Sequence, residues 1–286
     1  MKPTELAPPK AANLLHRASM LLQEIHGVDR FPIDVDAMAK GAAELFKWKD
    51  PVTQLTPISL PGFEGMLAAD DNVSKWMIAY NDKLSSNGRI RFTKAHELGH
   101  YMLHRDRQEQ FLCSKEDMLE WDGGKNIEAE ADKFASHLLM PLDDFREQLN
   151  GDVNFDVFSH CAERYQVSLT AAVLKWLSYT EDKAVLIISK DGYMDWASSS
   201  NAAKKSGAYF KTKNNTIEIP HGTLASLTNE PEDRFGRGIS AKTWFKYADS
   251  DADLTEMKIF SEQYDCTMTL LLLPKYLDCW KPKVEV

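Results

Sequence analysis

Arg91-Phe92-Thr93-Lys94-Ala95-His96-Glu97-Leu98-Gly99-His100 is the stretch from which the rest of the chain can be read. It contains His-Glu-x-x-His. The turn-forming Ser85-Ser86-Asn87-Gly88 precedes it, and a helix is predicted from Arg89 to Leu103. Two histidines four residues apart lie about one turn apart on one face, so both imidazoles can reach a single tetrahedral ion. Glu97, beside the first histidine, can then point toward a water on that ion. Such an ion lowers the pKa of its water to about 7, and a neighbouring carboxylate takes the proton as the water attacks a carbonyl carbon. The plain alternative is a solvated helix carrying surface histidines. Gly99 inside the helix costs about 1 kcal/mol relative to alanine, and its expected use is to let a second helix or the metal region come close.

A catalytic zinc site needs a third protein ligand. His104 is on the same helix but about 12 Å from His96 along the axis, too far to share one ion, and is expected to be a helix-end residue. The metzincin continuation is absent, since its third histidine would stand where this chain has Asp106. The next helix, predicted from Asn126 to Met140, holds the better candidate. Its apolar Ile127, Ala131, Phe134, Ala135, Leu138 and Leu139 cover an arc of about −120° to +20° around the axis, with Glu128 inside it. Asp132 sits at the edge of that arc, and Glu130 and His137 lie opposite. A carboxylate on a packed face is costly unless it meets a cation. Glu128 is therefore expected as third ligand, Asp132 as an acceptor orienting a histidine, and Glu130 and His137 as solvated. A helix-capping role for Glu128 is the competing reading. The four cysteines, at 113, 161, 266 and 279, form no CxxC pair, so neither a disulfide framework nor a cysteine zinc site is expected.

Outward from this centre, Ala11 to His26 has the apolar spacing of a helix ending at Gly27, and Asp34 to Trp48 reads as a second helix. Val52–Leu60, Gly62–Ala69 and Lys75–Asn81 are short runs of β-formers, read as a small antiparallel sheet. Lys75–Asn81 could offer a sheet edge to an extended peptide or be an interior strand. Tyr80 in it is a candidate oxyanion or substrate contact, or simply a packed aromatic. Asn154–Arg164 and Leu169–Tyr179 form a helix-turn-helix-like pair. Beyond it, Val185–Ile188, Thr216–Ile219 and Met268–Leu273 favour strands and Ile239–Tyr247 a helix. The fold class is α+β, with a peptidase-like domain at 1–150, a helical segment at 151–182 and a separate α+β domain at 183–286.

The chain has 286 residues, 43% apolar and 27% charged, with 34 basic against 43 acidic side chains and a net charge of −9. All of that charge lies before residue 183; the remainder is neutral. Residues 152–182 hold only Arg164 and Lys175 against Asp152, Asp156, Glu163, Glu181 and Asp182, a net −3. That composition disfavours direct nucleic-acid binding. No apolar run is long enough to span a membrane and no secretory signal is evident, so a cytoplasmic protein is expected.

Taken together, Arg89-x-Arg91-Phe92-Thr93-x-Ala95-His96-Glu97-Leu98-Gly99-His100-x-x-Leu103-His104 and Glu128-x-x-x-Asp132-x-Phe134-Ala135-x-x-Leu138-Leu139-Met140-Pro141 resemble the ImmA/IrrE family of zinc metallopeptidases. Gly62-Phe63-Glu64-Gly65 and Ile78-Ala79-Tyr80-Asn81 are similar to the strand region that such proteins place before the metal helix. The resemblance spans Asp34 to Tyr179. It implies a compact gluzincin-like fold, zinc (Zn2+) held by His96, His100 and Glu128, and Glu97 as general base. It also implies a protein substrate, a helix-turn-helix repressor cut during stress or mobile-element induction, and a C-terminal part that serves sensing or substrate recognition. The alternative function is a DNA-binding or ligand-sensing transcriptional regulator with a structural metal site.

Overall fold

Helix α1 (Pro8–His26) opens on a proline that needs no hydrogen-bond partner and closes on Gly27, left-handed at φ 66°. Helix α2 (Val35–Phe46) starts where the Asp34 side chain accepts from the Ala37 amide. The computed structural model describes residues 6–281 apart from 28, 60, 115–126 and 228–230. The expected element ends Leu60 and Asn126 fall outside these described residues.

The chain divides into two compact units, one of Met1–Gln148 with Cys161–Ser168, the other of Leu149–His160 with Leu169–Val286. In the first unit, strands β1 (Val52–Pro57), β2 (Phe63–Ala69), β3 (Trp76–Tyr80) and β4 (Gln110–Ser114) form a sheet in the order β1-β3-β2-β4. The β2–β3 hairpin and the β2–β4 pair are antiparallel, but β1 runs parallel to β3. The purely antiparallel sheet expected from the sequence is therefore corrected to a mixed one. Lys75–Asn81 is likewise not an edge: Trp76, Ile78 and Ala79 are buried, and β3 satisfies itself with a neighbour on both sides. The outer position beside β2 belongs to β4, a strand the sequence reading did not anticipate.

Helix α3 (Asn87–His104) is capped by Ser86, whose hydroxyl accepts from the Arg89 amide. It packs against the sheet and against α4 (Ile127–Leu139). A Cβ at Gly99 would lie 3.1 Å from both the Cα and the carbonyl oxygen of Ala131, so the two backbones touch where a side chain would separate them. On its other side α4 meets α1, where His16 Nε2 lies 3.1 Å from the His137 carbonyl. Helix α5 (Leu142–Gln148) then carries the buried Asp144.

Helices α6 (Phe155–Tyr165) and α7 (Leu169–Leu177) follow. The end of α6 is tied into the first unit, because Arg164 grips Asp144 through two hydrogen bonds of 2.6 and 2.8 Å and the Tyr165 hydroxyl donates to the same carboxylate. In the second unit β5 (Lys183–Lys190), β6 (Tyr193–Ser199), β7 (Asp233–Ser240), β8 (Asp253–Ser261) and β9 (Cys266–Leu273) make an antiparallel sheet ordered β6-β5-β9-β8-β7. Short helices α8 (Asn201–Lys205) and α9 (Ala241–Trp244) complete it, and Val185, Ile187, Leu254, Leu271 and Trp244 lie in its core. Two expectations fail here. Thr216–Ile219 forms no strand, only a single bridge from Glu218 to Tyr193. The helix expected over Ile239–Tyr247 shrinks to four residues, since Ile239 and Ser240 are held in β7 by Leu254 and Asp253.

The Asp144 cluster generates a stability prediction. Burial opposes the Asp144 charge, but Arg164 and Tyr165 outweigh it and hold the carboxyl below its usual pKa. A depressed folded pKa gives stability that is present above the unfolded value, about 4, and lost as pH falls through the folded one. Asp144→Asn should therefore unfold at a denaturant midpoint lower by the equivalent of about 1–2 kcal/mol at pH 7, because the buried Tyr165 and the half-buried Arg164 lose their charged acceptor. The gap to wild type should narrow below about pH 4.

Candidate metal centre

His96, His100 and His104 occupy successive turns of one face of α3, and all three are fully buried. That face is the one α4 covers, so Glu128 and Asp132, one turn apart on α4, meet it. His96 Nε2 and His100 Nε2 are 3.0 Å apart, and Glu128 Oε2 lies 3.1 and 3.2 Å from them. A fourth atom joins these three. Cys113 Sγ on β4 lies 3.4 Å from His96 Nε2, 3.6 Å from His100 Nε2 and 3.6 Å from Glu128 Oε2. All four donor atoms fall within 4.8 Å of one another.

The partners behind the histidines fix their orientation. The Asp132 carboxylate can only accept, so His96 donates from Nδ1, at 2.8 Å, and its Nε2 faces the cluster. Glu130 accepts from His104 Nε2 at 2.8 Å. This leaves His104 Nδ1 as an acceptor 3.1 Å from His100 Nδ1, so His100 donates backward and also turns Nε2 to the cluster. Phe111, on the same side of β4 as Cys113, stacks on the His100 ring with centroids 4.5 Å apart. His104 is therefore more than the expected helix-end residue, and Glu130, expected in solvent, is its anchor.

The electrostatics are those of groups competing for positive charge. Burial works against a charged His96, but Asp132 and Glu128 prevail and raise its pKa to about 10. Burial lowers that of His100 to about 4. Burial also opposes the Glu128 charge, yet the two histidines hold its carboxyl far below the usual range. Glu97 is fully buried, and burial raises its pKa to about 7 against the opposing pull of His96 and the Cys113 thiol. Gly65 of β2 backs it closely: a Cβ there would meet Glu97 Oε1. Tyr80 is placed differently, with the Lys94 ammonium 4.2 Å over its ring.

Residues 55–177 match the family model described as the IrrE N-terminal-like domain, Peptidase M78. That match, over less than half of the chain, makes this stretch similar to the ImmA/IrrE family of peptidases. No curated protein matches the chain. The matched stretch runs from β1 through α7 and so contains every residue of the cluster. Among the described residues, no helix is long and apolar enough to cross a membrane.

The donor set fits the metal such peptidases use. Ligands at about 2.0–2.1 Å for nitrogen or oxygen and 2.3 Å for sulfur, at the corners of a tetrahedron, stand about 3.3–3.6 Å apart. The separations here run from 3.0 to 3.6 Å. Cys113 was not expected among these donors, because the sequence has no CxxC pair. Its only signal was Gln110-Phe111-Leu112-Cys113-Ser114, a strand-like alternation soon after the metal helix.

Removing a partner behind a metal ligand typically weakens binding by about 10- to 100-fold. Asp132→Ala and His104→Phe should each do so, as read by competition with a chromophoric chelator. Unchanged affinity in both would mean that the histidines need no support.

Proposed function

We propose that the chain is a zinc-dependent endopeptidase that makes limited cuts in a protein substrate, a helix-turn-helix repressor. The observation that carries this reading is the convergence of His96, His100 and Glu128 beside the buried carboxylate of Glu97 within an IrrE-like domain. His96, His100 and Glu128 would hold the zinc in a gluzincin-like arrangement. When bound, it would supply Lewis acidity, acidifying water and polarising the scissile carbonyl.

The chain's own residues do the rest. Glu97 would take a proton and return it to the leaving amine, and a pKa raised by burial suits both steps near neutrality. Asp132 and the His104–Glu130 pair keep the ligating nitrogens aimed. Among the described residues strand β4 has a sheet neighbour on one side only, and an extended substrate segment would pair along its other side. Tyr80, two strands from β4, serves at most as a peripheral substrate contact.

Charge supports a basic substrate, because the first 182 residues carry the whole net −9. The same bias disfavours a DNA-binding role for α6 and α7. Of the two basic residues in 152–182, Lys175 is 1% exposed and Arg164 is engaged by Asp144. The helix pair is thus a structural part of the enzyme, and residues 183–286 form a domain for recognition or sensing. A cytoplasmic location accords with such a substrate.

Glu97→Gln is the test. It should retain metal, lose cleavage by about 10²–10⁴-fold, and capture its substrate, identified by mass spectrometry as a DNA-binding repressor. Zinc-free protein that still cleaves would refute the reading. A salt-sensitive shift of duplex DNA by the intact chain would favour the regulator instead.

A further inference from the structure

Catalytic zinc sites keep three protein ligands and an open position for water; closed sites with four protein ligands are structural. The cluster here presents four donors, not three. We infer that the Cys113 thiolate is the fourth ligand of this centre and fills the position that water would take, so that the folded enzyme is latent until β4 withdraws it.

Three independent features place the sulfur there. First, its distances to the other donors, 3.4, 3.6 and 3.6 Å, match one another to within 0.2 Å, as they must for an atom at a shared vertex. Second, the backbone is shaped to aim it. Cys113 pairs with Gly65, Ser114 with Phe63, and Glu64 is the extra residue of a bulge on β2. That bulge is pinned by Arg89, whose Nε and Nη2 lie 2.9 and 2.6 Å from Glu64 Oε2. Phe111 and Cys113 thereby point inward, while Leu112 between them is 65% exposed. Third, the fully buried Glu97 lies beside this vertex, near enough to Cys113 for the carboxylate and the thiol to act on each other. With the sulfur seated, the general base has no water to act upon.

The device is reversible by its position. Among the described residues strand β4 pairs with β2 alone, so moving Cys113 away breaks one described ladder rather than two. The same edge is where an extended substrate would pair, which couples substrate engagement to the loss of the thiolate ligand. This rests on the metallopeptidase reading, but it is separable from it by experiment.

The full-length protein is loaded with cobalt(II) in place of zinc, and absorption spectra are compared for wild type, Cys113→Ala and Cys113→Ser. The expected result is a near-ultraviolet thiolate-to-cobalt charge-transfer band in wild type that both variants lose while keeping the visible cobalt bands. Cobalt affinity should fall by at least the about 10- to 100-fold seen on losing an outer partner. Basal cleavage by Cys113→Ala should exceed that of wild type. Visible cobalt bands in wild type without the charge-transfer band would overturn the inference and leave the peptidase reading standing. If wild type binds no cobalt or zinc at all, both fall together.

Discussion

The approach of α4 to α3 at Gly99 is the constraint on which the site depends. One face of α3 carries His96, His100 and His104, and α4 reaches it only because the chain has no side chain where Ala131 crosses. At that separation Glu128 and Asp132 arrive within hydrogen-bond distance of the imidazoles. A helix interface that buries polar groups is unstable unless they are paired, since each unpaired one costs about 1–3 kcal/mol. Here the pairing runs in two lines that end on carboxylates, His96 to Asp132 and His100 through His104 to Glu130. Packing and metal-ligand orientation are thus the same set of contacts. Glu97 lies outside both lines and is fully buried beside the thiol of Cys113.

Much of this was legible in the sequence because it follows helical periodicity. The spacing of His96 and His100, and the angular positions of Glu128 and Asp132 relative to the apolar arc of α4, are local properties of two helices. They depend on nothing beyond each helix and the knowledge that apolar faces meet. His104 was misjudged for an instructive reason. It is indeed too distant to share an ion with His96, but a histidine one turn past a ligand can support that ligand from behind. Its anchor, Glu130, is on the flank of α4 that periodicity assigns to solvent, and the side chain is in fact 40% exposed while still accepting from His104.

What the sequence did not disclose is strand pairing. The order β1-β3-β2-β4 inserts β3 between two neighbours, and no feature of Lys75–Asn81 separates that outcome from an edge position except its continuous apolar run. Cys113 was invisible for a related reason: its role arises from a non-local register and a bulge at Glu64, not from spacing to another cysteine. In the second unit, β7 (Asp233–Ser240) is interrupted by Gly236 and Gly238 and carries no strand signature. Gly236, at φ 86°, is needed there because a Cβ would strike Thr255 and Met257 of the adjacent strand.

Strand β4 therefore joins two requirements that pull in opposite directions. As the outer strand among the described residues, it would, on the proposed reading, offer its other side to a substrate backbone. As the carrier of Cys113 it must be held in one register, because a slip of one residue would turn the thiol outward and Leu112 into the centre. Arg89 and Glu64 resolve the conflict from the β2 side: they fix the bulge that sets the register without occupying that other side. The ion pair is well placed for this, since Glu64 is 5% exposed and its carboxylate is committed to a guanidinium at the start of the metal helix. The position of the thiol is thus set by the same helix that supplies the histidines, so that the closed state inferred above would be built from the register of β2 and β4 themselves.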